Sequence, residues 1–202
     1  MDTTAMLDAA RHQARIGRYD DAIAGYDRVL AADQKNTLAL EQKGEVYYTL
    51  GRHEDALACY DRALEIDPHL ITTWYEKGYT LRKIGRFAES VACFERALAL
   101  DSSFMPALAN KGYALNALGK YEDALACFDR ILENGTNNIR ALASKGIALM
   151  NLGRNAEALA VFDLAISFNP INAFVWKNRA EVLDRMGRTH EAEESRRHVY
   201  GL

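Results

Sequence analysis

A glycine recurs every 34 residues along this chain, at Gly17, Gly51, Gly85, Gly119, Gly153 and Gly187. Each is followed by a basic residue: Arg18, Arg52, Arg86, Lys120, Arg154 and Arg188. Each has an acid four positions on (Asp21, Asp55, Glu89, Asp123, Glu157, Glu191), and a small residue follows the acid (Ala22, Ala56, Ser90, Ala124, Ala158, Ala192). Six copies in phase, without an insertion, are the signature of a chain built from stacked supersecondary units. The units run 3–36, 37–70, 71–104, 105–138, 139–172 and 173–202. Slots are counted from the first residue of a unit, so Thr37 is slot one of the second.

Each unit accommodates two helices. In the first, apolar or small residues recur at slots four, eight and eleven, an i, i+4, i+7 stripe. It is seen as Trp74, Gly78 and Leu81 in the third unit, and as Leu108, Gly112 and Leu115 in the fourth. The slot-fifteen glycine ends that helix, because glycine enters the left-handed conformation at no steric cost. The second helix opens on acids such as Glu54-Asp55 and Glu122-Asp123, which suit the positive end of a helix dipole. Its own stripe reads Ala56, Tyr60, Ala63, Leu64 or Ala124, Phe128, Ile131, Leu132. Asp67-Pro68 and Asn169-Pro170 then break the chain. Small residues at slots eight and twenty let the two helices approach closely beside the aromatic at slot twenty-four. One hairpin cannot bury its apolar face alone, so neighbouring units are expected to stack.

These residues resemble the tetratricopeptide repeat family. The series Trp74, Gly78, Leu81, Gly85, Phe87, Ser90, Phe94, Ala97 is similar to the family signature, as is Leu40, Gly44, Tyr47, Gly51, Ala56, Tyr60, Ala63, Pro68. The resemblance covers nearly the whole chain. It implies an all-α fold, a right-handed α–α superhelix (solenoid) of six helix–turn–helix repeats, read as a single domain over 1–202. The ends depart from the pattern: Ala10 replaces the usual glycine, Gln13 sits on the first stripe, and Arg196 stands where the other units have Tyr or Phe. The polar stretch 188–202 is therefore expected to act as a C-terminal cap.

The resemblance also implies that slots two, five, six, nine, twelve and thirteen of the first helices line a concave groove. Tyr48, Tyr75, Tyr79 and Tyr113 would put aromatic area there, on a face the core does not need, where tyrosine is a common interface anchor. Asn110, Asn116, Asn151 and Asn178 would offer amides to an extended backbone, and Arg82, Lys83 and Arg140 would add positive charge suited to an acidic side chain or C-terminal carboxylate. Chaperone-tail binders of the family use a clamp of Lys and Asn in one unit, Asn in the next, and two basic residues in the third. Asn110 and Arg140 fit the later positions. Tyr75, Tyr79 and Ser144 occupy the others, so the clamp is largely absent.

The remaining features exclude more than they suggest. Lys plus Arg number 25 and Asp plus Glu 28, a net charge of −3, which argues against a phosphate-tracking surface and hence against a nucleic-acid partner. No stretch approaches a membrane span or a signal peptide, and the expectation is a soluble, cytoplasmic chain without a membrane partner. Cys59, Cys93 and Cys127 share slot twenty-three and read as small core residues, not metal ligands or a disulfide. His12, His53, His69, His190 and His198 share no ligand spacing and are expected on the solvated surface outside the groove. A basic column at slot seven (Lys43, Lys77, Lys111, Lys145, Arg179) is read as aliphatic cover for the core, with Glu45 and Glu76 nearby. No cofactor and no catalytic residue is expected, since only scattered carboxylates such as Glu41, Glu45 and Glu76 could serve an enzyme. The expected function is a scaffold or adaptor binding a protein or peptide segment in the groove. The alternative is a self-assembling structural homo-oligomer.

Overall fold

The structure, a computed structural model, describes residues 2–133, 135 and 137–200, so the last two residues of the expected cap lie outside it. Its described residues contain twelve α-helices and no strand. Two compact units divide the chain, residues 1–107 and 108–202, with the boundary inside the seventh helix. The first unit holds α1 (Thr3–Arg15), α2 (Tyr19–Ala32), α3 (Thr37–Thr49), α4 (His53–Ile66), α5 (Ile71–Lys83), α6 (Phe87–Leu100) and the start of α7 (Met105–Ala117). The second continues from α7 through α8 (Tyr121–Glu133), α9 (Ile139–Asn151), α10 (Asn155–Phe168), α11 (Ala173–Arg185) and α12 (Thr189–Tyr200).

The turn inside each repeat forms as its residues dictate. All six slot-fifteen glycines have φ between 74° and 81°. The basic residue after each glycine donates its backbone N–H to the carbonyl five residues back, as in Arg52 to Tyr47 and Arg154 to Leu149, both 2.9 Å. These bonds satisfy carbonyls that a helix end would otherwise leave orphaned. The same basic side chain clasps the acid three positions on: Arg52 Nε to Asp55 at 2.7 Å, Arg154 to Glu157 at 2.6 Å, and Arg188 to Glu191 at 2.6 Å. The repeated Gly-basic-x-x-acid pattern is thus one turn motif. Between repeats, Asn36, Asn138 and Asn172 accept from the backbone N–H groups of Ala39, Ala141 and Val175 and cap the first helices. The slot-four indoles tie down the preceding turn, Trp74 donating to the Pro68 carbonyl at 2.9 Å and Trp176 to that of Pro170 at 2.7 Å.

In repeats two to five the two helices approach most closely where slot eight meets slot twenty-four. A Cβ at Gly44, Gly78, Gly112 or Gly146 would come within 2.5–2.8 Å of the ring of Tyr60, Phe94, Phe128 or Phe162 respectively. No real Cβ tolerates such spacing, so the aromatic lies directly on the backbone of the first helix. The first repeat inverts the arrangement. Ala10 occupies slot eight and the space comes from Gly25, whose own added Cβ would lie 2.7 Å from that of Ala10.

The basic column does more than cover the core. Lys43 pairs with Asp27 at 2.5 Å, Lys77 with Asp61, Lys145 with Asp129 at 2.5 Å, and Arg179 with Asp163 at 2.6 Å. The partners are acids on the second helix of the preceding repeat. The three cysteines are buried and free, and burial pushes the Cys93 thiol up to about 11.

Gly146→Ala is expected to lower stability by about 1–3 kcal/mol through overpacking against Phe162. Urea unfolding should show a lower midpoint at unchanged slope. Adding Phe162→Leu to that background should return part of the loss, and Lys145→Met, which removes only a partly exposed ion pair, should cost less than about 1 kcal/mol.

Candidate functional site

In the first unit the first-helix tyrosines form a row. The rings of Tyr48 and Tyr79 lie 5.8 Å apart, Tyr79 and Tyr75 6.1 Å, and Tyr75 meets Phe104 edge-on at 5.4 Å and Phe94 at 6.0 Å. Phe94 is fully buried, so the row rests on the core while its own rings remain half-buried. Arg82 and Lys83 stand over the Tyr79 ring at 5.1 and 5.8 Å. Burial, and then the neighbouring Tyr79, push the Tyr48 hydroxyl up to about 12. His53, expected away from the groove, lies 5.4 Å from the Tyr48 ring, because α4 begins where α3 ends. His198 is likewise not merely solvated, being stacked on Trp176 at 4.1 Å.

The contacts between α1, α3 and α5 define a register. Arg11 at slot nine donates to Gln42 at slot six of the next repeat, 3.0 Å. Thr73 at slot three donates to Glu41 at slot five of the preceding repeat. Glu45 and Glu76 both have pKa values raised above the usual carboxylate range, first by desolvation and then by like charge, from Glu41 on Glu45 and from Glu45 on Glu76. Glu45 is exposed and Glu76 half-buried, so both still meet solvent. Their spacing carried the signal, since they repeat the slots of Arg11 and Gln42.

In the second unit a hollow of about 470 Å³ is lined by Tyr113, Ile139, Arg140, Ala143, Ser144, Asn172 and Phe174. The Arg140 guanidinium lies 5.0 Å over the Tyr113 ring, which also meets the Phe128 ring at 5.6 Å. Phe174 is 55% exposed at the rim. Ile139 and Asn172 were not expected in a site. They belong to it because the first turns of α9 and α11 frame the hollow. The amides divide by use. Asn116 donates to the Ser144 carbonyl at 3.0 Å, across to α9, and Asn178 to that of Phe174 at 2.7 Å, one turn back within α11, so both spend a donor on a backbone carbonyl. Asn110 is buried, whereas Asn151 is exposed. Among the described residues no group of three or more His, Cys, Asp or Glu could hold a metal, and no helix is long and apolar enough to cross a membrane.

Models of the tetratricopeptide repeat match residues 36–103, 75–139 and 111–174, together running from 36 to 174. No curated protein matches the sequence. Among solved structures the chain is similar to MamA, at 25% identity, covering 85% of this chain and 93% of that one with a TM-score of 0.79. It is also similar to PilW, described as a widely conserved type IV pilus biogenesis factor, at 25% identity, 96% and 90% coverage, and a TM-score of 0.76. A tetratricopeptide repeat protein from Parabacteroides merdae shares the fold at 20% identity, 96% and 77% coverage, and a TM-score of 0.85. The chain belongs to the tetratricopeptide repeat family, with the all-α helical-repeat fold of that class. Proteins of this family are generally non-enzymatic scaffolds, and the fold supports a protein-interaction role.

The raised carboxylates set a pH dependence. A raised folded pKa means that the folded chain holds its proton more tightly than the unfolded one. The associated stability is complete below the ordinary carboxylate range and is lost as pH rises through the folded values. Glu45→Gln and Glu76→Gln should therefore each raise stability at pH 7, by less than about 1 kcal/mol given solvent screening. In urea titrations the advantage should disappear as pH falls below the carboxylate range.

Proposed function

We propose that the protein is an adaptor that holds a segment of a partner protein against the exposed faces of its first helices. The observation that carries this reading is the hollow between α7, α9 and α11, with an aromatic wall at Tyr113, a half-exposed Phe174 and a guanidinium held at Arg140. None of these three groups is among the largest fully buried side chains of the core, and together they offer what an interface anchor needs: apolar area beside an oriented charge. Arg140 suits an acidic side chain or a terminal carboxylate there. In the first unit the row Tyr48, Tyr79, Tyr75 supplies the same kind of apolar area, flanked by Arg82 and Lys83. Because the rings lean on buried neighbours, little side-chain freedom is lost when a segment binds. Asn151 adds an exposed amide, and Asn116 stiffens the wall.

The test is a crosslinked pull-down from lysate of the source cell, comparing wild type with a Tyr79→Ala, Tyr113→Ala double variant and with Phe174→Asp, each first shown to be helical with a cooperative unfolding transition. A partner recovered by wild type and reduced at least about tenfold by the variants is the expected outcome. Equal recovery from all three removes these faces from the binding site.

A further inference from the structure

Slot nine of one first helix faces slot six of the next. In the first such pair, Arg11 and Gln42 set a donor against an acceptor at 3.0 Å. One repeat on, the same two slots hold Glu45 and Glu76. The neighbouring rungs fix them opposite each other: Thr73 bonds to Glu41 on one side, and the Tyr48 and Tyr79 rings meet at 5.8 Å on the other. Neither Glu45 nor Glu76 has a side-chain hydrogen bond or an ion pair among the described residues. The cations within reach are turned elsewhere, Arg82 and Lys83 lying over the Tyr79 ring at 5.1 and 5.8 Å.

Behind the carboxylates stands Tyr60 from α4. Its side chain is 1% exposed, its ring lies under Gly44, and its hydroxyl has no hydrogen-bond partner. Glu76 and Glu45 are the charges that act most strongly on this phenol. The two carboxylates take no donor from a neighbouring side chain, the phenol behind them has no partner, and a buried polar atom without a partner marks a place where one is missing. Among the described residues no group of three or more His, Cys, Asp or Glu that could hold a metal ion stands here. The pair of carboxylates matches the three donors of an ammonium or the fork of a guanidinium, and Tyr48 adds an aromatic wall on which a cation gains further.

We propose that Glu45 and Glu76, backed by the buried Tyr60 phenol, form a seat for a lysine or arginine side chain of the bound partner segment. The proposal rests on the adaptor reading and adds the charge of the residue recognised in the first unit. A cation between the two carboxylates relieves their mutual repulsion. The partner segment accordingly carries a basic residue where it crosses α3 and α5.

Selection of short randomised peptides on the wild-type protein tests this, followed by a cycle on the peptides recovered. The expected result is enrichment of Lys or Arg at one fixed position. Replacing that residue with Met should cost at least about tenfold in affinity for wild type, but less than about twofold for the Glu45→Gln, Glu76→Gln variant, which keeps the shape and removes the charge. Peptides that lose binding on Tyr79→Ala yet show no basic enrichment, or whose basic residue is not coupled to the two glutamates, overturn the seat and leave the groove reading standing. Peptides indifferent to Tyr79→Ala and to Phe174→Asp, or no enriched peptides at all, overturn both.

Discussion

The fold depends on a single close approach, the slot-twenty-four ring lying on a slot-eight residue that has no side chain. Because Gly44, Gly78, Gly112 and Gly146 leave their helix backbone bare, an aromatic of the second helix fills the cleft completely, and Tyr60, Phe94, Phe128 and Phe162 are among the largest fully buried side chains. The angle between the two helices of a hairpin follows from that contact. Once it is set, the slot-fifteen glycine and the clasp after it need only return the chain. A larger residue at slot eight requires its volume to be removed elsewhere, which is what Gly25 does for Ala10 in the first repeat.

This arrangement also decides which face is free. The stripe that seats the ring consumes slots four, eight and eleven, and the second helix covers it. Slots two, five, nine and twelve are left to meet the neighbouring first helix or solvent. Tyr75 and Tyr113 bridge the two situations, touching Phe94 and Phe128 on one side and remaining half-exposed on the other. Aromatic groups so placed are stiff without being buried, and stiffness in an exposed apolar group is what distinguishes an interface anchor from a loose surface residue.

Much of this was legible before any coordinates. The period, both helices of each unit, the turn glycines and the core stripes follow from spacing alone, because each is imposed by backbone geometry that repeats whenever the residues repeat. Contacts between repeats were less legible. The slot-seven lysines were seen as a column, but their partners lie on a different helix of the preceding repeat, and nothing local to Lys43 points to Asp27. The amides of Asn116 and Asn178 looked available on a helical wheel and are spent on carbonyls. The Glu45 and Glu76 pair needed a register between first helices that only the Arg11 to Gln42 bond makes visible. Periodicity within a repeat reports the fold, whereas departures from periodicity between neighbouring repeats report the site.

The column of basic residues and aspartates has a consequence for how such a chain can change. Each pair joins slot seven of one repeat to slot twenty-five of the one before, so an interior repeat carries the socket of one joint and the plug of the next. A whole repeat duplicated or excised within either unit would leave matching halves facing each other, and the chain could lengthen or shorten by recombination without compensating substitutions. The groove face has no such standard joint. Arg11 to Gln42 and Glu45 to Glu76 occupy equivalent positions with unrelated chemistry. Gain or loss of a repeat would therefore preserve the architecture while rewriting the order of charges presented to a partner.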